Sequence, residues 1–313
     1  MYSLILPVYG NEGSIPELIE SIAKLASRLD VRFEAVFVVD ASPDASYARL
    51  REALPNAGFQ SQLLLHARNF GSFAAIRSGL AAARGEFLAV MAADLQEPIE
   101  LIEGFFRTLR QSEADVVVGT RTGRTDPFLT RIASSLFWWT YRKLVQPEIP
   151  RGGVDVFGCT RAFRDQLLAL GEANTSMVGQ IYWLGFRRKD IPYQRLPRRH
   201  GRSAWSLSRK LKYLMDSLFA FSDLPIRLLI ATGGLGMTAA IALGVIVAAA
   251  RLAGMVDVPG YAMTILAVLF FGGLNAFGLG IIGAYTWRAY ENTKQRPLAI
   301  VRHAEEFPHK EEP

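Results

Sequence analysis

Five short polar clusters hold the side chains best suited to gripping a ligand: P-V-Y-G-N-E (Pro7 to Glu12), V-D-A-S-P-D (Val39 to Asp44), A-R-N-F-G (Ala67 to Gly71), A-A-D-L-Q-E-P (Ala92 to Pro98) and G-T-R (Gly119 to Arg121). Taken singly, an Asp or Asn in such a place makes only an Asx-turn or a helix cap. A second set is basic: Arg187, Arg188 and Lys189, then Arg195, Arg198, Arg199 and Arg202, then Arg209, Lys210 and Lys212. A guanidinium holds phosphate oxygens through two parallel hydrogen bonds, so this run suits an anionic ligand. It equally suits a polybasic patch on anionic lipid heads, at about 1 kcal/mol per charge. No G-x-G-x-x-G follows the first apolar run, and neither a Walker lysine loop nor a Cys/His zinc cluster occurs, which excludes dinucleotide redox chemistry, P-loop ATP hydrolysis and zinc.

The elements that must position the five clusters follow from periodicity. Ser3 to Val8, Glu34 to Val39, Gln62 to His66, Phe87 to Ala92 and Ala114 to Thr120 read as strands; Ile15 to Asp30, Ser46 to Leu54, Phe73 to Arg84 and Ile99 to Gln111 read as helices between them. Such alternation predicts a mostly parallel α/β sheet with helices on both faces. Ser14, Pro16 and Glu17 mark the start of the first helix as an N-cap, a first-turn proline and a capping-box glutamate. Every cluster then follows a strand, on the rim beyond the carboxyl ends where open parallel sheets bind ligands.

The 313 residues are 50% hydrophobic and 20% charged, with 35 Lys+Arg against 29 Asp+Glu and a net charge of +6. That much apolar material excludes a disordered chain. Leu228 to Ala250 and Ala262 to Ala284 are each uncharged, and at about 1.5 Å per residue each is long enough for a hydrocarbon core of roughly 30 Å. Arg209, Lys210, Lys212 and Arg227 precede the first span, and Arg288, Lys294, Arg296 and Arg302 follow the second. The positive-inside rule therefore puts both termini in the cytoplasm of a multi-pass inner-membrane protein. Met1 and Tyr2 lead into S-L-I-L-P-V without a basic leader, and the single Cys159 fits a reducing compartment. Small residues recur every fourth position (Thr232, Gly236, Ala240, Gly244 and Ala248; Gly272, Ala276, Gly280 and Ala284), so the spans are expected to pack on each other or on a second copy in a homo-oligomer.

The order P-V-Y-x-N-E, D-A-S-P-D, R-N-F-G-x-x-A-A-I-R-x-G-L-x-x-A-x-G-E and D-L-Q-E-P-I-E resembles the family 2 glycosyltransferases of the GT-A fold. With R-x-x-G-x-S-x-W (Arg198 to Trp205) and two C-terminal spans, it resembles the polyprenyl-phosphate branch, the dolichol-phosphate mannose synthase and undecaprenyl-phosphate sugar transferase type. The resemblance runs to about Arg296 and implies a nucleotide-sugar donor, a polyprenyl phosphate acceptor and a divalent cation, Mg²⁺ or Mn²⁺. It implies that Pro7, Tyr9 and Glu12 border the nucleotide, that Asp40 reads the base, whether uracil or guanine, that Arg68 and Asn69 line the same cleft, and that Asp94 with Gln96 meets the metal and diphosphate. Three positions depart from the family pattern: Val39 replaces an acidic residue, Ala92 replaces the first carboxylate of the D-x-D motif, and Asn11 stands where many relatives have Glu. Asp94, Gln96 and the donor's own diphosphate remain as oxygen ligands.

On the acceptor side, Arg198 and Ser203, with Arg199 and Arg202, are expected to hold the lipid phosphate, Arg121 a donor or acceptor phosphate, and Asp155 a positioning place in the catalytic centre. Phe128, Leu129, Ile132, Leu136, Phe137 and Trp139, with Arg131, Arg142 and Lys143, suit an interfacial helix, as does Leu207 to Phe221. The resulting organisation is a nucleotide-sugar core (1–125), an acceptor-side region (126–225), two spans (226–286) and a cytoplasmic tail (287–313). An inverting transfer at the cytoplasmic face would leave a product needing a downstream flippase, and the positive balance then serves two phosphates rather than nucleic acid. Two competing readings remain. A processive polysaccharide synthase would want an Arg-Trp pair after Gln180, where Ile181, Tyr182 and Trp183 stand instead; a non-catalytic scaffold is suggested by Val39 and Ala92.

Overall fold

The computed structural model describes residues 1–122, 139, 141–143, 146–150, 154, 156–197, 207–254 and 261–308. Eight strands form one mixed sheet: β1 (Tyr2–Val8), β2 (Phe33–Val39), β3 (Gln60–His66), β4 (Phe87–Val90), β5 (Val116–Arg121), β6 (Phe157–Thr160), β7 (Arg188–Tyr193) and β8 (Val301–Phe307), in the order β7-β5-β6-β4-β1-β2-β3-β8. The central strands β1 and β2 are apolar almost throughout because both sheet faces are covered. On one face lie α1 (Ile15–Arg28), α2 (Ser46–Ala53) and α4 (Ile99–Arg110); α1 buries Ile15, Leu18, Ile22 and Leu25 at helical spacing, and α4 buries Leu101, Ile102, Phe105, Phe106 and Leu109. The other face carries α3 (Ser72–Ala82), α5 (Arg161–Ala169) and α6 (Met177–Trp183) over Ile5, Val36, Val38 and Val116.

The expected α/β sheet is present, with three strands that periodicity misses. β6 runs antiparallel to β4 and β5, β7 joins β5 in parallel, and β8 pairs antiparallel with β3. The stretch expected as a tail thus closes the β3 edge of the sheet. Glu305 accepts from Tyr47 Oη (2.5 Å) and Arg51 Nε (3.0 Å), and Arg84 pairs with Glu306. Sheet edges left open invite pairing with other chains, and β8 covers this one.

At the strands' amino ends Glu34 is fully buried. Its carboxylate accepts from Ser3 Oγ (2.6 Å), Gln62 Nε2 (3.1 Å) and the Arg84 N–H (2.6 Å), which satisfies a charge otherwise costly to bury. Ser14 stands at the N-cap of α1 as expected, but its hydroxyl donates to the carbonyls of Asn11 (3.0 Å) and Ala93 (2.8 Å) instead of accepting from the helix. It ties the loop after β1 to the one after β4.

After β7 the described chain resumes at α7 (Leu207–Phe221), followed closely by α8 (Leu224–Leu252) and then α9 (Tyr261–Thr293). Leu224–Leu252 and Ala267–Thr293 are long and apolar enough to cross a membrane. Leu235, Ile241, Val245, Leu269 and Phe277 expose more than half of their surface, the reverse of a soluble core. Gly236 lies beside Phe271 and Gly278 beside Leu229, while Gly244, Gly272 and Gly280 face open space.

Candidate active site

All parallel strands, β7 included, end on one rim, and the rim loops are bound to one another. Gly10 N–H donates to Ser42 Oγ (2.8 Å), Asn11 N–H to Ser46 Oγ (3.2 Å) and Glu12 N–H to Asp44 Oδ2 (3.0 Å), while the Ala45 N–H donates to Glu12 Oε2 (2.9 Å). Asp44 Oδ1 also accepts from Ser42 Oγ (2.6 Å) and the Ser46 N–H (3.1 Å). Burial acts to raise Asp44, but these donors prevail and hold it below the ordinary carboxylate range. The loops after β1 and β2 therefore form one preorganised wall, beside which the Tyr9 ring stands 42% exposed.

Asp40 stands at the end of β2, where the sequence places it, and is held by three donors. It is 3% exposed; Oδ1 accepts from His66 Nδ1 (2.8 Å) and the Phe70 N–H (2.8 Å), and Oδ2 accepts from the Gly71 N–H (2.7 Å). His66 Nε2 in turn meets Ser78 Oγ (2.9 Å) on α3. Burial would raise the Asp40 carboxyl, yet the bonds from His66, Phe70 and Gly71 outweigh it and hold it low. Through these bonds Asp40 shapes the loop that carries Arg68 and Asn69. Gly71 sits at φ +97°, a conformation that side chains oppose, so the loop needs a glycine where its N–H meets Asp40. Arg68 and Asn69 are exposed, the guanidinium 4.2 Å over the Phe70 ring. His66 and Ser78 escape sequence reading because a lone His ending an apolar strand has no spacing signature.

Pro7 lies within β1 opposite Val38, near the carboxyl end of the strand. Asp94 and Gln96 share a tight turn after β4, each 8% exposed, with Leu95 between them at φ +57°. A leucine in that region costs about 1–3 kcal/mol and persists where surrounding contacts enforce it. Asp94 Oδ1 accepts the Gln96 N–H (3.3 Å), and Gln96 is clasped to the far loop: its Nε2 donates to the Leu196 carbonyl (3.1 Å) and its own carbonyl accepts the Leu196 N–H (2.8 Å). Arg195 Nε lies 3.8 Å from Glu97 Oε1. Among the described residues no three His, Cys, Asp or Glu side chains converge on a point. One carboxylate and one amide oxygen on a turn nonetheless fit Mg²⁺ or Mn²⁺, which commonly take one or two carboxylates and complete their shell with substrate phosphate and water.

Arg121 ends β5 on the same rim, paired in register with Tyr193. Asp155, Arg198, Arg199, Arg202 and Ser203 lie outside the described residues, as do most of the positions assigned to the first interfacial helix. Among the described residues next to them in sequence, the Val156 carbonyl accepts from the Gly119 N–H. Three cations of the basic run have another role. Arg187 makes a bidentate pair with Asp115 (2.9 and 3.0 Å), Arg188 pairs with Glu148 (2.7 Å) and lies 4.0 Å over the Tyr182 ring, and Lys189 pairs with Glu113. They tie β7 to its neighbours at the sheet edge.

Residues 3–170 match the family described as Glycosyl transferase family 2. CsbB of Bacillus subtilis is 33% identical over 100% of this chain and 94% of its own length. The prophage bactoprenol glucosyl transferase homolog of Escherichia coli K12 is 28% identical over 96% of this chain and 98% of its own length. The bactoprenol glucosyl transferase of Shigella phage SfV is 28% identical over 96% and 97%. In fold, the chain is similar to glucosyl-3-phosphoglycerate synthase from Mycobacterium tuberculosis, solved with Mn²⁺, UDP and glucosyl-3-phosphoglycerate: TM-score 0.50, 17% identity, 70% of this chain and 79% of that one. The mixed sheet with its GT-A arrangement and the match over more than half the sequence lead to one assignment: this chain is a glycosyltransferase and belongs to glycosyl transferase family 2.

Proposed function

We propose that the protein transfers a sugar from a nucleoside diphosphate to a polyprenyl phosphate at the cytoplasmic face of the membrane, with α8 and α9 as its two spans. The clasp between Gln96 and Leu196 carries this reading. It joins the Asp94 turn, on the donor side, to the loop after β7, which precedes Arg198, Arg199, Arg202 and Ser203 in the sequence, on the acceptor side. The names of the E. coli and phage relatives, whose similarity continues through the apolar helices, support the lipid acceptor, and the Mn²⁺ and UDP of the mycobacterial structure support the donor class.

In the reaction an acceptor phosphate oxygen attacks the anomeric carbon as its bond to the donor diphosphate breaks, which inverts that carbon and leaves the charge on the departing diphosphate. A phosphate oxygen is already an anionic nucleophile, so a strong base has little to do, and Asp155 serves to position. What opposes attack is repulsion between two anions, which the guanidinium groups of Arg121, Arg198, Arg199 and Arg202 relieve while fixing geometry. Pro7, Tyr9 and Glu12 wall the nucleotide, and the loop held by Asp40 presents Arg68 and Asn69 to it. Asp94 and Gln96 would hold the divalent cation, which when bound stabilises charge on the leaving diphosphate.

Membranes containing the protein, incubated with radiolabelled UDP- and GDP-sugars, undecaprenyl phosphate and Mn²⁺, are expected to yield an organic-extractable glycolipid. Long polymer would favour a synthase, and no turnover with any donor a non-catalytic scaffold. Asp94→Ala should reduce transfer by about a hundredfold or more, the scale of losing an electrostatic group at a reacting centre, while leaving the protein folded in the membrane; retained activity would remove Asp94 from the site.

A further inference from the structure

Helix α7 lies between the catalytic domain and the end of α9. Towards the domain, Ser176 Oγ donates to Tyr213 Oη (2.6 Å), the Tyr141 and Tyr213 rings stack at 6.0 Å, and Phe221 lies against Gly179. Towards α9, Arg288 Nη2 donates to Asp216 Oδ1 (2.8 Å), with side chains 19% and 16% exposed, and the Arg288 guanidinium lies 4.4 Å over the Phe219 ring. Phe219 meets Tyr285 edge-on at 5.0 Å, and Tyr285 Oη donates to the Ser222 carbonyl (3.3 Å). One turn beyond, Asn292 Oδ1 accepts the Ala173 N–H (3.1 Å). Beyond α9 the chain returns to the sheet as β8, the Ala67 N–H donating to the Ile300 carbonyl (2.9 Å). The helical hairpin is therefore fastened to the domain on two sides.

A partly desolvated ion pair is weak evidence for stability, because removing two charges from water offsets most of their attraction; its best-attested use is to fix a register. Here the register is that of α7 against α9, and so of the transfer site against the membrane surface. The ring contact of Phe219 with Tyr285 would alone allow the helices to slide, since apolar contact is not directional, and the Tyr285 hydroxyl adds one long bond to Ser222. The bond from Arg288 to Asp216 is directional, and the ring beneath the guanidinium adds a cation–π contact to the same geometry.

We propose that Asp216 and Arg288, with Phe219, form a positioning joint that sets the height and tilt of the transfer site above the lipid surface, so that the site meets an acceptor phosphate embedded in the bilayer. The inference rests on the lipid-phosphate reading above. It predicts a defect selective for acceptors held in a bilayer, because a short acceptor in solution finds the site at any height.

The test uses the full-length protein in phosphatidylethanolamine–phosphatidylglycerol vesicles and the sugar nucleotide selected by the donor panel, with two acceptors: undecaprenyl phosphate in the same vesicles, and water-soluble citronellyl phosphate. Arg288→Gln and Asp216→Asn should each raise KM for undecaprenyl phosphate about tenfold, with kcat/KM for citronellyl phosphate within about twofold of wild type. The exchange Asp216→Arg with Arg288→Asp should recover most of the loss, since the pair and not either charge is what counts. Equal loss with both acceptors, an unchanged KM for undecaprenyl phosphate, or an exchange no better than the single variants would each overturn the joint. Wild-type protein that binds the nucleotide but glycosylates neither acceptor would instead overturn the lipid-phosphate reading, and the joint with it.

Discussion

Asp40 shows how far a residue's type can be read without its surroundings. A carboxylate after the second strand invites the role of base reader, and its position on the rim is legible; that both its oxygens are committed is not, because His66, Phe70 and Gly71 reach it only after folding. Folding adds to the expected role a support for the Arg68 and Asn69 loop. Asp40→Asn keeps the shape but turns one acceptor into a donor facing N–H groups, and each charge-assisted bond lost is worth about 1.5–3 kcal/mol. Nucleotide Kd by calorimetry should rise about tenfold or more, on the same scale. Because the folded-state value lies below the ordinary 3.8, Asp40 contributes stability that is complete above that pH and disappears as pH falls through the lower folded-state value. Thermal melts across pH 2–5 should therefore show a steeper acid-side decline in wild type than in Asp40→Asn; parallel declines would deny Asp40 this role. Asp94 and Gln96 were legible in motif order, whereas the Leu196 clasp was not, since 100 residues separate its partners.

Among the elements, the five parallel strands that read clearly from sequence are those buried on both faces, where apolar runs are longest. β6, β7 and β8 escape notice for separate physical reasons. β6 has only four residues, too few for a periodicity; β7, R-K-D-I-P-Y, is an edge strand whose Lys189 and Asp190 face solvent; β8, V-R-H-A-E-E-F, is largely exposed and made by pairing with β3. The amphipathic α7 was recognised as a candidate for an interface, yet its Tyr213 and Ser217 are buried against the domain while Leu211 and Met215 remain exposed. Gly179 governs that docking: a Cβ there would lie 2.4 Å from the Phe221 ring. Gly179→Ala should displace Phe221 and destabilise the domain by about 1–3 kcal/mol, the usual cost of overpacking, although alanine is the better helix former. Chemical denaturation in detergent should show the lower midpoint, and Phe221→Leu combined with Gly179→Ala should recover part of it; an unchanged midpoint would mean that α7 is not held there.

For the molecule as a whole, β8 ties orientation to fold. A strand from beyond α9 that pairs with β3 sets β8 beside the catalytic domain, so if α8 and α9 are the proposed spans they form a hairpin with β3 and β8 on one side of the membrane. The positive-inside rule reaches the same hairpin from the cations flanking the spans, an argument independent of the strand pairing. Cys159 makes a direct test practical: it is fully buried, burial pushes its thiol up to about 12, and it should label poorly with maleimide in the folded protein. In a Cys159→Ala background, Ala253→Cys is expected to react with a membrane-impermeant maleimide in intact cells. Glu52→Cys on α2 and Arg302→Cys on β8 should react only after permeabilisation. Labelling of Arg302→Cys alone in intact cells would place the two ends of the chain on opposite faces, and β8 could not then pair with β3 of its own chain. Labelling of both cytoplasmic probes in intact cells would keep the hairpin but invert it, and with it the leaflet on which the glycolipid is made.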